Sequence, residues 1–151
     1  MADAPSSGCG CPPTAAQVPA TGGVHHVFLT VNDLARSRAF YAALMPRLGY
    51  PGFSDYGAVL GWFGDGGSFW IKQADPRHAG APFSKDRVGL CEVAFRAESR
   101  AQVDALARDV SAWSGRVLDP PREYPEYVPG YYAVFFADPD GIKLELVHIP
   151  G

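Results

Sequence analysis

A single offset of 66 residues lays one stretch of this chain on another without a gap, so the same structural unit is written twice. Val24-His25-His26-Val27-Phe28-Leu29-Thr30-Val31 falls on Leu90-Cys91-Glu92-Val93-Ala94-Phe95-Arg96-Ala97. Downstream, Asp33 meets Ser99, Phe40 meets Leu106, Leu44 meets Val110 and Gly49 meets Gly115. Each copy reads as a strand, a capped helix and a glycine exit. A duplicated unit gathers equivalent positions around one pseudo-twofold centre. His26 and Glu92 are such a pair, and both side chains can ligate a metal ion.

The first strand is expected over 24–31, with Val27, Leu29 and Val31 on one face and His26, Phe28 and Thr30 on the other. Asn32 or Asp33 can cap the helix that follows. Leu34, Arg38, Tyr41, Ala42, Met45 and Leu48 mark its stripe, and Pro46 kinks or shortens its end. Strands are predicted over 52–54, 58–63 and 68–73, the last two joined by Gly64-Asp65-Gly66-Gly67. The second copy repeats the plan. It runs from a strand over 88–97, through the N-cap Ser99, to a helix marked by Val103, Leu106, Val110 and Trp113. Strands follow over 116–119, 131–137 and 142–148, with Asp138-Pro139-Asp140-Gly141 as the last turn.

The predicted fold is therefore α+β: two βαβββ modules forming a curved mixed sheet around a central cavity, with the helices outside. Module one spans 23–74, a turn-rich connector 75–87 and module two 88–150. Residues 1–22, rich in Pro, Ala, Gly and Ser, are expected to be a disordered tail. A net charge of -3 provides no basic patch, which argues against nucleic acid and anionic membranes as partners. No apolar run reaches the about 18 residues of a membrane helix, and the first 22 residues do not read as a secretory signal. Cys9, Cys11 and Cys91 fit a reducing compartment, so a cytoplasmic location is expected, with the Cys9-Gly10-Cys11 pair read as exposed thiols.

By alternation, His26 and Glu92 face the cavity, opposite the uniformly apolar sets Val27, Leu29, Val31 and Val93, Phe95, Ala97. Glu145 lies between Leu144 and Leu146 and points away from the face that those leucines pack on. A carboxylate there implies a polar cavity or a bound cation. His26, Glu92 and Glu145 would supply one nitrogen and two oxygen ligands and leave positions open for water and substrate. Such a carboxylate-rich set favours harder divalent ions. In the aromatic stretch from Tyr124 to Tyr132, a tyrosine hydroxyl could polarise or protonate a bound oxyanion. Only one of Tyr131 and Tyr132 can face the cavity, and alternation does not say which; Tyr132 is carried forward as the catalytic candidate. Trp62, Phe63, Phe69 and Trp70 are either core or stacking surface for a planar ligand.

Three stretches carry a family resemblance: Val24-His25-His26-Val27; Asp33-Leu34-Ala35-Arg36-Ser37-Arg38-Ala39-Phe40-Tyr41; and Asp138 to Leu146. With them the chain resembles the vicinal oxygen chelate superfamily of glyoxalases, bleomycin-resistance proteins and extradiol dioxygenases, over the whole folded domain. The resemblance implies metal ligation by His26 and Glu145, with Glu92 standing where a ligand histidine is usual. It further implies a divalent ion (Fe, Mn, Co, Ni or Zn), a small substrate with vicinal oxygens and a homodimer. Lyase or isomerase chemistry is favoured over dioxygenase, with Glu92 or Glu145 as general base. The alternative it implies is a metal-free binding or drug-sequestering protein. Setting Gly67 against Gly141 places Ile71 opposite Glu145, which removes the fourth ligand of glyoxalase-type members.

Overall fold

Both copies fold in the predicted order, because each apolar alternation is followed by a side-chain cap that starts a helix. The computed structural model describes residues 23–151; the tail expected over 1–22, with Cys9 and Cys11, lies outside the described residues. Strand β1 (His26–Val31) leads to α1 (Leu34–Leu44) and a 3-10 turn (Met45–Leu48), then β2 (Gly52–Asp55), β3 (Val59–Gly64) and β4 (Gly67–Gln73). The second copy runs β5 (Val93–Arg96), α2 (Arg100–Asp109), a 3-10 turn (Val110–Trp113), β6 (Arg116–Glu123), β7 (Tyr132–Ala137) and β8 (Lys143–His148). Asp33 Oδ1 accepts a bond from the Arg36 amide at 2.9 Å, and Ser99 Oγ accepts one from the Gln102 amide at 3.2 Å, so both helices start on side-chain caps. Pro46 sits in the 3-10 turn and ends α1, as its missing amide hydrogen requires.

The strand orders are β1-β4-β3-β2 and β5-β8-β7-β6, with β1/β4 and β5/β8 parallel and the other pairs antiparallel. The α+β class and the doubled βαβββ order are those predicted. The hydrogen-bonded ladders stay within each module and make two four-stranded mixed sheets, neither closed into a barrel. Strand β5 begins at Val93, not at residue 88. Its partner β8 has nothing to offer earlier residues, because the Ile142 carbonyl accepts from the Asp138 amide and the Ile142 amide donates to Asp138 Oδ1. Strand β6 runs longer than predicted, through Pro120 and Pro121. It is an edge strand paired only with β7, so prolines cost no ladder bond on the open side.

The helix-facing sets are the expected ones. Leu29, Val31, Phe69 and Ile71 share one buried cluster with Phe95, Ala97, Leu144 and Leu146, and both helices add Phe40, Tyr41, Leu44, Val103 and Leu106. Trp62 and Phe69 belong to this core. The repeated glycines Gly49 and Gly115 serve different ends. Gly49 adopts φ 85 to end its helix, whereas in the second copy Ser114 takes the left-handed position. Gly115 is needed for closeness, since a Cβ there would stand 2.6 Å from the Phe40 ring of module one.

Asp138 ties the modules together. Its carboxylate, 4 % exposed, accepts from Tyr41 Oη at 2.9 Å and from the amides of Asp140 and Ile142. Burial pushes its pKa up to about 6, against the pull of those hydrogen bonds. A carboxyl raised on folding binds its proton more tightly in the native state. Its stabilising contribution is thus full below the unfolded value and is lost as pH rises through about 6. Tyr41→Phe removes one of the bonds that hold the pKa down. The expected result is an Asp138 pKa above that of the wild type by carboxyl NMR, and a loss of about 1–2 kcal/mol at neutral pH in urea titration.

Candidate functional site

The more apolar face of each sheet is spent on the common core, so the remaining faces carry the candidate site residues. On the first sheet, β1 contributes His26 and Phe28, β4 contributes Ser68 and Trp70, and β3 contributes Val59, Gly61 and Phe63. Gly61 pairs with Trp70 and has no side chain, which lets the indole lie across it; a Cβ at Gly61 would stand 2.5 Å from the ring. Trp70 Nε1 donates to Ser68 Oγ at 2.9 Å and fixes the ring's orientation. Phe63 meets the indole edge-on at 5.1 Å and Tyr56 stacks on it at 6.1 Å. The result is an aromatic groove of about 720 Å³, with His25 and His26 at one end. The two Nδ1 atoms are 3.0 Å apart, a separation at which one imidazole donates and the other accepts.

The second sheet presents a different surface. Glu145 is 2 % exposed, and Tyr131 Oη donates to its Oε1 at 2.5 Å. Burial raises the Glu145 pKa, the Tyr131 bond opposes it, the neighbouring Glu92 charge adds to it, and Lys143 lowers it. Tyr131 is raised in turn, first by burial and then by Glu145, and so stays a protonated donor at neutral pH. Lys143 Nζ lies 2.6 Å from Glu92 Oε2 and 4.2 Å from the centroid of Phe135. Tyr124 is buried, stacks on Tyr127 at 5.7 Å and meets Phe135 edge-on at 5.2 Å, with the Arg122 guanidinium 3.7 Å from its ring centre. Tyrosines and Phe135 thus wall the cluster on one side.

The sequence-predicted residues divide between these faces. Glu92 and Glu145 lie close together in module two, while His26 lines a groove built wholly from module-one residues. Among the described residues, no group of three or more His, Cys, Asp or Glu side chains is placed to hold a metal ion. The donors His26, Glu92 and Glu145 therefore do not converge within one chain. Tyr132 is corrected: its hydroxyl donates to Asp104 of α2 at 2.7 Å, so it faces the helix. Tyr131 is the tyrosine that shares the Glu145 face. The residue opposite Glu145 is corrected as well. Phe28 pairs with Trp70 as Ala94 pairs with Glu145, so Trp70 is the counterpart, and Ile71 is fully buried in the core. Sequence reasoning missed Lys143, although its place two residues before Glu145 on β8 puts both on one face.

The family model described as Glyoxalase/Bleomycin resistance protein/Dioxygenase superfamily matches residues 23–146. The chain belongs to this superfamily. An uncharacterized Bacillus subtilis (strain 168) protein, YqjT, is 38% identical over 124 residues, covering 82% of this chain and 97% of that one. A Bacillus halodurans structure provisionally described as a glyoxalase is 30% identical, covers 85% of this chain and 96% of its own, and superposes with a TM-score of 0.72. A glyoxalase/bleomycin resistance protein from Albidiferax ferrireducens T118 is 28% identical, with coverage of 83% and 98% and a TM-score of 0.71. Superfamily members bind small-molecule substrates, commonly with divalent metals, and are often dimeric. No helix among the described residues is long and apolar enough to cross a membrane.

The Tyr131–Glu145 bond is testable within this glyoxalase-superfamily chain. Tyr131→Phe deletes a cause that lowers the Glu145 pKa while leaving the burial that raises it. The Glu145 carboxyl is expected to titrate at higher pH than in the wild type when followed by carbon NMR; an unchanged midpoint would show that the bond does not form in solution.

Proposed function

We propose that this superfamily member is a lyase- or isomerase-type enzyme that abstracts a proton next to a carbonyl in a small substrate with vicinal oxygens. The observation that carries this reading is Glu145, a carboxylate buried to 2 % exposure, raised in pKa and held by one tyrosine hydroxyl. A base so placed is partly desolvated and more basic than an exposed glutamate. Glu145 takes the proton from carbon. Tyr131, which stays protonated, orients the carboxylate and can turn its hydroxyl to the oxyanion that develops. The aromatic groove, with Trp70 and Phe28 in its wall, suits the apolar remainder of the ligand. A divalent ion is implied by the family, and His26, Glu92 and Glu145 are its candidate ligands, but one chain offers it no converged donor set.

The two half-sites call for a second copy. Phe28 is 48 % exposed, and Tyr56 and Phe63 are exposed beside it on the same face, an apolar patch that a partner would cover. We place the Glu145 face of a second copy over this groove, so that the ligand is enclosed between base and aromatic wall. Sedimentation at micromolar concentration is expected to give a dimer for the wild type and a monomer for Phe28→Glu; a monomeric wild type overturns the pairing.

The reaction class is tested by proton exchange from α-hydroxyketones such as acetoin in D2O, followed by NMR. Wild type is expected to accelerate exchange, with a rate that climbs as Glu145 ionises, at a midpoint above its ordinary 4.5. Glu145→Gln is expected to lose about 100-fold or more, the scale of a general base. A second reading, a metal-free binding protein, is favoured by the groove of about 720 Å³ and its aromatic lining. Quenching of tryptophan fluorescence by planar ligands, with no exchange in wild type and none lost in Glu145→Gln, assigns that reading instead.

A further inference from the structure

We propose that Lys143 is the resident cation of the acidic cluster, and that it keeps divalent metal ions from binding Glu92 and Glu145. The inference rests on Glu145 as a site carboxylate and goes beyond the reaction proposed for it. Strand register places Glu92 just before β5 and Lys143 at the start of β8, where Val93 pairs with Leu144. The ammonium and Glu92 Oε2 are 2.6 Å apart, within direct ion-pair contact. That oxygen is buried and accepts no well-directed hydrogen bond among the described residues, so the ammonium is its close partner. Glu145 feels both neighbours: Glu92 raises its pKa and Lys143 lowers it.

Two carboxylates in one partly buried place must be neutralised, by a metal ion, a proton or a basic side chain. Here the third solution is already built. The ammonium sits over the Phe135 ring, 4.2 Å from its centroid, so a cation–ring contact as well as the ion pair holds it in place. A divalent ion entering between Glu92 and Glu145 would have to displace a bound ammonium or sit beside a like charge. The equivalent position in module one, paired with His26, is Ser68, which is uncharged; the lysine is therefore a feature of the acidic half alone. Lys143 also lines a groove of about 430 Å³ in which Lys85 and Arg116 are offset by Asp86 and Asp119, so no further cationic excess surrounds the ammonium there.

The test is titration of Mn²⁺ alone, read from the free-ion EPR signal, into wild type, Lys143→Met, Lys143→Arg and the double variant Lys143→Met/Glu92→Gln. Circular dichroism and the melting temperature confirm the fold of each, and Lys143→Gln replaces Lys143→Met if the latter does not fold. Lys143→Met is expected to bind Mn²⁺ at least tenfold more tightly than wild type, Lys143→Arg to match wild type, and the double variant to lose the gain. Equal affinity of wild type and Lys143→Met, or a gain that survives Glu92→Gln, overturns the proposal. So does a wild type that takes up one tightly held Mn²⁺ and loses it in Glu92→Gln. The readout is metal affinity, so a failed exchange assay sinks the reaction reading and leaves this one standing.

Discussion

Both modules bury their most apolar sheet faces in one shared core, and that commitment decides where every other side chain must point. Leu29, Val31, Phe69 and Ile71 from one sheet and Phe95, Leu144 and Leu146 from the other are buried together. Strand alternation then turns His26, Phe28 and Trp70 to the other face of one sheet and Glu145 to the other face of the second. Hydrophobic burial is worth roughly 25 cal/mol per Å² of apolar area, so this choice outweighs any preference of the polar groups to meet. The polar groups take what the core leaves. A chain folded this way presents the histidine-bearing aromatic groove and the Glu145 cluster on separate surfaces, which is the arrangement that the proposed pairing of two copies answers.

Duplication supplied the frame, and the two copies have since diverged in what they present on it. Phe28 and Trp70 occupy in module one the paired positions that Ala94 and Glu145 occupy in module two, and Ser68 stands where module two has Lys143. One copy has thus become an aromatic surface, organised around an indole lying over Gly61. The other has become a compact acid–base cluster, with tyrosines closing one flank.

Much of this was legible in the chain. Caps at Asp33 and Ser99, the helix-facing valines and leucines, and the isolation of Glu145 between two leucines all follow from periods of two and 3.6. The misreadings share a cause: alternation gives a face but not a register. Gly67 and Gly141 were natural anchors for aligning the last strands. However, β3 and β4 are joined by a two-residue turn, whereas the Asp138 turn spends five residues before β8 begins. Ile71 was accordingly set against Glu145, one position past its true counterpart Trp70. Adjacent Tyr131 and Tyr132 posed the same difficulty, since a pair of like residues carries no phase. Lys143 was hidden for another reason. Its partner, Glu92, lies on a neighbouring strand 51 residues away in sequence, and pairing of that kind is a property of the sheet.

Two carboxyls, Asp138 and Glu145, are both raised by burial, and the sign of that shift sets the fold against the chemistry. Each binds its proton more tightly in the folded chain, so each stabilises the native state below its unfolded pKa. That contribution fades as pH rises through the folded value. For Asp138 the cost falls on the joint between α1 and the β7–β8 turn, where Tyr41 and two amides offset part of it. For Glu145 the proton that favours folding is the same proton that would silence the proposed base. The ionised state that this proposed role requires is therefore the less favoured one, supported by Tyr131 and by the nearby Lys143 ammonium. Removing the strain by replacing Glu145 with an apolar residue of similar size would suit the core behind it. The chain keeps the carboxylate instead, at the expense of stability above its folded pKa, which accords with the proposed role of Glu145 as a base.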